Sequence, residues 1–334
     1  MSSPQSLLAY IGCGSAGEVC LVRYSNDGLE LIERMTLPGL EKAGGSMPLC
    51  LSPDRRHLYA AGRGTPMGIF TFAIDTKSHQ LTPVSTFPIN ESVAYLACSA
   101  QDNRLFSASY HHHLVAAYDI SAEGGVKSEQ ARWATEPNAH CILPDPEERN
   151  VLFTSLGGDR LYCSDLAAQP AFSDTIEVAL PEGTGPRHLI FNAEGTRVYL
   201  LGELDGSITL FDYDSSTRSL NKRQRVVIDK GEADTFWAAD IHLDAEGRYL
   251  YASERSSSLV TSFAVDADSG ELTRIGAFEV ETQPRGFALD ATGQLMLVAG
   301  QQSHHVAAYR LNEGRLEFID RVEVAQAPDW VEMA

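Results

Sequence analysis

The stretch GPRHLIFNAEGTRVYLLGELDGSITLFDY, residues 185–213, decides the fold. It contains two runs in which apolar and polar residues alternate, RVYLLG and SITLFDY, separated by a polar break at 203–206. A further run, HLIF, precedes the turn NAEG. Alternation with a period of two residues is typical of half-buried β-strands, and short polar breaks join antiparallel strands. The stretch therefore predicts a three-stranded antiparallel meander.

The same unit recurs along the chain. The first core position after each turn repeats at intervals of 47, 47, 46, 52 and 46 residues, in the order Leu58, Leu105, Leu152, Val198, Leu250 and Met296. Each unit is followed by one more alternating run, such as FSDTIEVAL or LTRIGAFEV, which makes four strands per repeat. Four-stranded units with a period of roughly 40–50 residues are typical of β-propeller blades.

The two ends of the chain complete the count of blades. Three runs at the start, AYIGCG, EVCLVRY and LELIERMTL, lack the strand that opens the other units, whereas APDWVEMA at the end supplies one run with nothing after it. We expect these segments to pair as a seventh blade, because a closed ring leaves no free sheet edges. The sequence thus predicts an all-β, seven-bladed propeller of four antiparallel strands per blade, with residues 1–334 as a single domain.

The charge and hydrophobicity of the chain limit the kinds of binding partner that can be expected. The 334 residues carry a net charge of −19, with 45 acidic against 26 basic residues, which opposes binding to nucleic acid or to anionic membranes. No apolar run approaches the ~20 residues of a membrane span. The first residues, MSSPQSLLAYIG, lack the features of a secretory signal, so we expect a cytoplasmic protein. The six cysteines have no metal-site spacing and are expected to be buried core residues: Cys13, Cys20, Cys50, Cys98, Cys141 and Cys163.

Two short motifs resemble cofactor or metal sites but lack the required context. GCGSAG at 12–17 matches the dinucleotide fingerprint, yet a strand-like run follows it where that motif requires a helix. The run His111, His112 and His113 has no companion carboxylates at ligand spacing, and adjacent strand residues point to opposite faces. We therefore expect no cofactor and no metal site.

When the repeats are aligned with one another, residues with ionisable side chains gather in two columns, that is, at two equivalent positions near the start of each repeat. The first column is the position three residues before the last core residue of the opening strand. It contains Pro48, Tyr95, His140, His188, Asp240, Gly286 and, by extension, Trp330. One position earlier stand Met47, Ala94, Ala139, Arg187, Ala239, Arg285 and Asp329. Histidines, arginines and carboxylates are thus presented by neighbouring blades at one level of the channel.

The opening strand of a propeller blade lines the channel, and its start shares a face with the loop between the second and third strands. Those loops carry Glu203, Asp205, Arg255, Gln301, Gln302, His304 and His305. Any one histidine at this level is as compatible with a hydrogen-bonded channel lining as with catalysis. The combination of arginines, histidines and a carboxylate favours an oxygen-rich anionic ligand, because guanidinium groups bind carboxylate or phosphate bidentately.

Five segments carry a family resemblance: TGPRHLIFN, ELDGSITLFD, WAADIHLDAEGRYLYASER, ETQPRGFALDATGQ and AGQQSHHVAAYRL. They resemble the seven-bladed β-propeller lactonase family, in particular its bacterial 6-phosphogluconolactonases. The resemblance implies hydrolysis of 6-phospho-D-glucono-1,5-lactone to 6-phosphogluconate, a step of the oxidative pentose phosphate pathway. It also implies a small anionic sugar lactone as the partner, and we expect a monomer or a weak homo-oligomer.

The resemblance further implies catalytic roles for a histidine, two arginines and a glutamate, which fall on His140, Arg187, Arg285 and Glu203. Lactone hydrolysis needs a base for water and donors for the developing oxyanion. We expect Glu203 or His140 to be the base, the two arginines to bind the oxyanion or the phosphate, and a substrate-binding set of His188, Asp240 and His305 to orient them. Two alternatives stay open: a lactonase or cyclase for another anionic lactone of the muconate type, and a non-enzymatic interaction platform.

Overall fold

The structure is a computed structural model in which residues 7–101 and 103–334 are described. Residues 1–6, which begin the segment examined for a secretory signal, and Asp102, in a predicted turn, lie outside the described residues. The described chain forms seven antiparallel sheets of four strands each. The predicted seven-bladed propeller is therefore confirmed.

The strands are numbered β1–β28 in chain order. Blade 1 contains β28 (Trp330–Met333), β1 (Leu7–Cys13), β2 (Glu18–Ser25) and β3 (Gly28–Thr36). Blade 2 contains β4 (Leu49–Leu51), β5 (His57–Gly62), β6 (Gly68–Ile74) and β7 (Leu81–Pro88). Blade 3 contains β8 (Val93–Ser99), β9 (Arg104–Ser109), β10 (Leu114–Ile120) and β11 (Val126–Ala134).

The remaining blades follow the same order. Blade 4 contains β12 (Ala139–Pro144), β13 (Asn150–Ser155), β14 (Arg160–Asp165) and β15 (Ile176–Ala179). Blade 5 contains β16 (Pro186–Phe191), β17 (Arg197–Gly202), β18 (Ser207–Asp214) and β19 (Ser219–Val227). Blade 6 contains β20 (Ala238–Leu243), β21 (Tyr249–Glu254), β22 (Leu259–Val265) and β23 (Leu272–Glu279). Blade 7 contains β24 (Pro284–Leu289), β25 (Leu295–Gly300), β26 (His305–Asn312) and β27 (Arg315–Glu323).

The ring closes where the last strand joins the first. In blade 1, β28 pairs antiparallel with β1, so that Gly12 lies opposite Trp330. A Cβ on Gly12 would lie 2.3 Å from the carbonyl oxygen of Met47 and 3.1 Å from the Cβ of Trp330. Glycine is needed here because the closing strand and blade 2 approach the backbone too closely for a side chain. The predicted closure of the ring by the two chain ends is confirmed.

The core lies between the blades. Among the described residues, seven hydrophobic clusters form, and each joins two neighbouring blades. Four of the six free cysteines are buried in these clusters, as expected, while Cys50 and Cys98 are only half-buried. Each blade thus buries its apolar faces against its neighbours, which accounts for the 43% hydrophobic content without a central apolar core. No helix in the described residues could span a membrane.

Tyrosines of the second strands tie neighbouring blades together. The hydroxyl of Tyr10 donates to the carbonyl of His79 at 2.7 Å, and that of Tyr199 donates to the carbonyl of Gly270 at 2.9 Å. In each case the acceptor lies in the turn between the third and fourth strands of the next blade. A buried phenol that donates to a turn carbonyl satisfies both polar groups and fixes the angle between blades.

Candidate active site

Bulges in the opening strands turn consecutive side chains toward the channel. In β16 the pairing with β17 skips both Arg187 and His188, so that two residues face the single residue Leu201. The same irregularity skips residues 140–141 in β12 and 239–240 in β20. Bulges re-aim side chains, so two neighbouring residues of one strand can serve one site.

Hydroxyl groups of the second strands satisfy the backbone groups that the bulges release. The amide of Cys141 donates to Oγ1 of Thr154 at 3.1 Å, and that hydroxyl donates to the carbonyl of Arg187 at 2.9 Å. The amide of Asp240 donates to Oγ of Ser253 at 3.0 Å. The bond from Thr154 to Arg187 connects blades 4 and 5, and the bond from Asp240 to Ser253 holds the bulge within blade 6, so the site rests on a fixed backbone.

The centre of the site is a buried carboxylate between two guanidinium groups. Oε2 of Glu203 accepts from Nε of Arg187 at 3.0 Å and from Nη2 of Arg255 at 2.7 Å. Arg187 is 2% exposed, Arg255 is 5% exposed and Glu203 is 9% exposed. The other oxygen of Glu203, Oε1, accepts no hydrogen bond from the described residues. One carboxylate oxygen is therefore held in place and the other remains open for a ligand or water.

Arg255 is held by two backbone carbonyls and an aromatic ring in addition to Glu203. Its Nε donates to the carbonyl of Trp237 at 3.1 Å, and its Nη2 also donates to the carbonyl of Ala238 at 2.9 Å. The guanidinium lies 4.0 Å from the centroid of the Trp237 ring, which is partly exposed at the mouth of the channel. Stacking on an indole and two carbonyl acceptors fix the plane of the guanidinium, so Arg255 can orient Glu203.

Below Arg187 a chain of polar groups runs along the channel. Nη1 of Arg187 lies 3.1 Å from Nε2 of His188, whose Nδ1 lies 2.8 Å from Oδ1 of Asp240. Because a guanidinium only donates, Nε2 of His188 must accept, and the ring hydrogen lies on Nδ1. Oδ2 of Asp240 lies 3.2 Å from Nε2 of His242. Asp240 therefore fixes the tautomer of His188, which in turn positions Arg187.

The pKa values along this chain agree with that assignment. Burial, reinforced by Arg187, lowers the pKa of His188 to about 4, so the ring is neutral at neutral pH. Burial opposes ionisation of Asp240, but His242 and the hydrogen bonds from both histidines hold its pKa well below the usual range. The buried aspartate is thus a stable anion between two imidazoles.

His140 lies beside this chain on blade 4. It is 4% exposed, and its ring centre lies 5.2 Å from that of His188 and 5.7 Å from that of Tyr110. Burial, and then the Arg187 guanidinium, lowers its pKa well below the usual value, so the ring is neutral. Its Nδ1 is enclosed and has no hydrogen-bond partner in the described chain, whereas Nε2 is not enclosed and also has none. Nε2 is the nitrogen that a ligand can reach.

Arg285 lies across the mouth from this group. It forms no hydrogen bond or ion pair with the described residues, yet its charge influences the pKa values of Arg187, Arg255 and His140. Burial raises the pKa of the nearby Asp329 to about 6, and the Arg285 charge opposes that rise. The two arginines predicted for the site therefore differ: Arg187 is bonded inside the protein, and Arg285 has its donors free.

His305 is not brought to this cluster. Its Nδ1 lies 2.6 Å from the carbonyl oxygen of Ser303, in the loop just before β26, and no contact joins it to the other predicted residues in the described chain. The expectation that His305 orients substrate has no geometric support, because its side chain folds back on the backbone of that loop. The run 111–113 is exposed, and the described residues contain no group of three or more ligating side chains suited to a metal ion. Cys13 pairs with Glu18, so residues 14–17 form a hairpin turn rather than a cofactor loop.

A third column, formed by the loop position after the second strand, contains two arginines of the site that the first two columns do not. The residue after the second strand of each blade, from blade 1 to blade 7, is Gly14, Arg63, Tyr110, Leu156, Glu203, Arg255 and Gln301. Stacking these loop positions as strictly as the strand positions would have placed Arg255 beside Glu203. It would also have brought in Arg63, which the first two columns do not contain.

Comparisons with known proteins agree with this architecture. The family described as "Lactonase, 7-bladed beta-propeller" matches residues 9–333. The 6-phosphogluconolactonase of Pectobacterium carotovorum is 34% identical over 91% of this chain and 91% of its own length. That of Yersinia enterocolitica is 30% identical over 99% of this chain and 96% of its own.

Solved structures show the same fold. The periplasmic gluconolactonase of Pseudomonas aeruginosa superposes with a TM-score of 0.85 at 24% identity, covering 98% of this chain and 99% of that chain. The family match extends over nearly all of the described chain, and the closed ring of seven four-stranded blades agrees with it. The chain therefore belongs to the seven-bladed β-propeller lactonase family.

Proposed function

We propose that this protein hydrolyses 6-phospho-D-glucono-1,5-lactone to 6-phosphogluconate at the channel mouth of blades 4 to 7. Relatives at 34% and 30% identity bear the name 6-phosphogluconolactonase. The observation that carries the assignment to this mouth is the carboxylate of Glu203, held through Oε2 by two guanidiniums and open at Oε1. A fixed carboxylate with one free oxygen is suited to accept a proton from water.

Glu203 is the general base in this proposal. Arg187 and Arg255 pair with the carboxylate and fix its direction, so that Oε1 faces the water that attacks the lactone carbonyl. Attack forms the bond from water oxygen to carbonyl carbon, and one water proton passes to Oε1. No covalent enzyme intermediate is needed, because a lactone is already an activated ester.

His140 supplies the donor for the oxyanion. An enclosed nitrogen without a partner costs less as a lone pair than as an N–H group, which favours the hydrogen on Nε2. Nε2–H then donates to the carbonyl oxygen as negative charge develops there. When the tetrahedral intermediate collapses, the bond to the ring oxygen breaks and that oxygen takes the proton from Glu203. The carboxylic acid product then ionises and releases one proton to the solvent.

Arg285 is assigned to the phosphate group. Its guanidinium has no partner in the described chain, whereas the donors of Arg187 are occupied by Glu203, His188 and the carbonyl of Ala239. In a chain of net charge −19, a free guanidinium at the mouth provides a local attraction for an anionic substrate. These observations support Arg285, rather than Arg187, as the phosphate ligand.

All of these groups come from one chain, so a monomer is sufficient for the reaction, and no cofactor or nucleic acid takes part. We infer that the protein acts in the oxidative pentose phosphate pathway, in the cytoplasm. The small substrate is expected to enter from the open mouth.

A panel of lactones tests the proposal. Release of acid is followed with the phosphorylated lactone, unphosphorylated glucono-1,5-lactone and a muconolactone, each corrected for spontaneous hydrolysis. We expect the highest kcat/KM for the phosphorylated lactone. Turnover of the muconolactone alone would show that the substrate is a lactone of the muconate type. No turnover of any lactone would favour a non-enzymatic interaction platform.

A further inference from the structure

Arg63, on the loop between β5 and β6, points its charge at the same mouth from blade 2. Its Nε donates to the carbonyl of Val93 at 2.6 Å, and neither Nη nitrogen has a partner in the described chain. Its side-chain stem lies against Gly45, since a Cβ at that glycine would lie 2.7 Å from Cδ of Arg63. With a φ of +71°, Gly45 also has a backbone conformation that a side chain would strain. The guanidinium is therefore held from one side and open on the other.

No ion pair with the described residues compensates the charge of Arg63. Burial, reinforced by the nearby Arg285 charge and opposed by Asp329, lowers its pKa to about 10. Asp329 accepts the amide of Met47 at 2.9 Å and forms no ion pair with either arginine in the described chain. Two partly buried guanidiniums that share one nearby carboxylate, Asp329, leave positive charge uncompensated, and a bound dianion would offset it.

Beside Arg63 lies a cleft of about 390 Å³, lined among others by Lys42, Gly44, Gly45, Thr65 and His111. Its two walls are tied together, because the amide of Thr65 donates to the carbonyl of Lys42 at 2.8 Å and Lys42 returns a bond at 3.2 Å. The amides of Gly44 and Gly45 donate to no group in the described chain. The cleft thus offers an ammonium group, a guanidinium fork and free backbone amides on a fixed frame.

This set of donors is suited to a phosphate monoester. Guanidinium binds two phosphate oxygens at once, lysine adds a point charge, and glycine amides approach closely because no Cβ intervenes. A carboxylate on the substrate would use only two oxygens and one charge. The arginines in the other half of the mouth already have an anionic partner, because Arg187 and Arg255 are paired with Glu203.

We propose that Arg63 and the cleft lined by Lys42, Gly45 and His111 bind the phosphate group of the substrate together with Arg285, and so select phosphorylated lactones. The inference rests on the proposed function and adds its selectivity element. The phosphate lies on the side of blades 2 and 7, and the lactone ring lies toward Glu203 and His140. His111 is neutral when the cleft is empty, since partial burial and the Arg63 charge lower its pKa.

The test is Arg63→Met, measured on 6-phosphogluconolactone and on glucono-1,5-lactone. Loss of one charge-assisted bidentate contact should lower kcat/KM for the phosphorylated lactone roughly 10- to 100-fold, chiefly through KM. The rate with the unphosphorylated lactone should stay within about twofold of the parent. Arg63→Lys keeps the charge but cannot bind two oxygens at once. Its kcat/KM for the phosphorylated lactone should lie between those of the parent and of Arg63→Met.

Arg310→Met is the matched control, because it removes the same charge from an arginine whose side chain is 59% exposed and pairs with Glu317. It should leave both substrates unchanged, which separates a local contact from the loss of overall attraction for an anion. Calorimetric titration with 6-phosphogluconate and with gluconate gives a readout without turnover. Only the phosphorylated acid should bind more weakly to Arg63→Met.

The outcomes separate the two proposals. A parent that hydrolyses neither lactone overturns the proposed function. An active parent with an Arg63→Met variant that is unchanged, or that loses both substrates equally, overturns the phosphate cleft alone. If Arg63→Met is unstable by thermal denaturation, Arg63→Lys decides, and parent-like selectivity in that folded variant counts against the inference.

Discussion

Arg255 donates to Glu203 across the boundary between blades 6 and 5, with 2.7 Å between Nη2 and Oε2. The same oxygen accepts Nε of Arg187 at 3.0 Å, so two blades hold one carboxylate. The orientation of the proposed base therefore depends on the packing of neighbouring blades, and a residue on one blade controls chemistry supplied by another.

Replacing Arg255 by Lys should lower kcat about 100-fold, because the ammonium cannot donate to Glu203 and the two carbonyls in one plane. Steady-state rates with 6-phosphogluconolactone measure this effect. Arg225→Lys is the control, since Arg225 pairs with Asp205 in the loop that follows Glu203 and is partly exposed. Equal rates in parent and Arg255→Lys would mean that Glu203 needs no second guanidinium.

Asp240→Asn should lower kcat about tenfold or more with little change in KM, because the amide no longer fixes His188 as the Nδ1–H tautomer. The bond from Nδ1 of His188 to Oδ1 of Asp240, at 2.8 Å, is the contact that changes. Nitrogen-15 NMR of the histidine ring reports the tautomer directly. A tautomer that is unchanged in the variant while kcat falls would assign Asp240 a different role.

Glu332 should make the protein less stable as the pH rises. Burial raises its pKa from 4.5 to about 7, although the Trp330 indole opposes this. The folded state therefore holds this proton more tightly than the unfolded state, and the stability that the proton contributes is lost between pH 4.5 and about 7. Relative to the parent, Glu332→Gln should gain up to about 3 kcal/mol of unfolding free energy across that range.

Urea denaturation of the parent and of Glu332→Gln at both ends of that range measures the difference. Glu317→Gln is the control, because it removes a carboxyl group from a side chain that is 71% exposed. A constant difference between the parent and Glu332→Gln would show that the carboxyl group titrates normally in the folded protein.

Removing residues 330–334 should destabilise the whole ring. The deletion takes away β28, including the buried Val331, and exposes the edge of β1. We expect a fall in Tm and association of the truncated chain, measured by calorimetry and light scattering. Deleting Ala334 alone leaves β28 intact and serves as the control. An unchanged Tm on loss of β28 would contradict closure by the chain ends.

The seven four-stranded blades and their closure could be predicted from the sequence, because the spacing of Leu58, Leu105 and Leu152 records a repeated unit and the truncated end units require closure. The site could be predicted only in part. Arg187, His188 and His140 lie together because strand positions have a fixed register across blades.

Spacing can bring a loop residue such as Arg255 to the level of Glu203, but it does not show which side chains bond to each other. Nor does it show that the ring of His305, at the first position of β26, turns back to the carbonyl of Ser303. The bulge that lets both Arg187 and His188 face the channel is likewise a three-dimensional feature, since simple alternation would place them on opposite faces.

The central claim is that lactone hydrolysis takes place beside His140, whose Nε2 is the nitrogen open to the channel. Its most direct test is kcat/KM of His140→Ala with 6-phosphogluconolactone, corrected for spontaneous hydrolysis, in a preparation whose Tm shows a folded ring. Loss of the oxyanion donor predicts a fall of about 100-fold or more. A folded His140→Ala variant that retains the kcat/KM of the parent would place the reaction elsewhere and contradict the account.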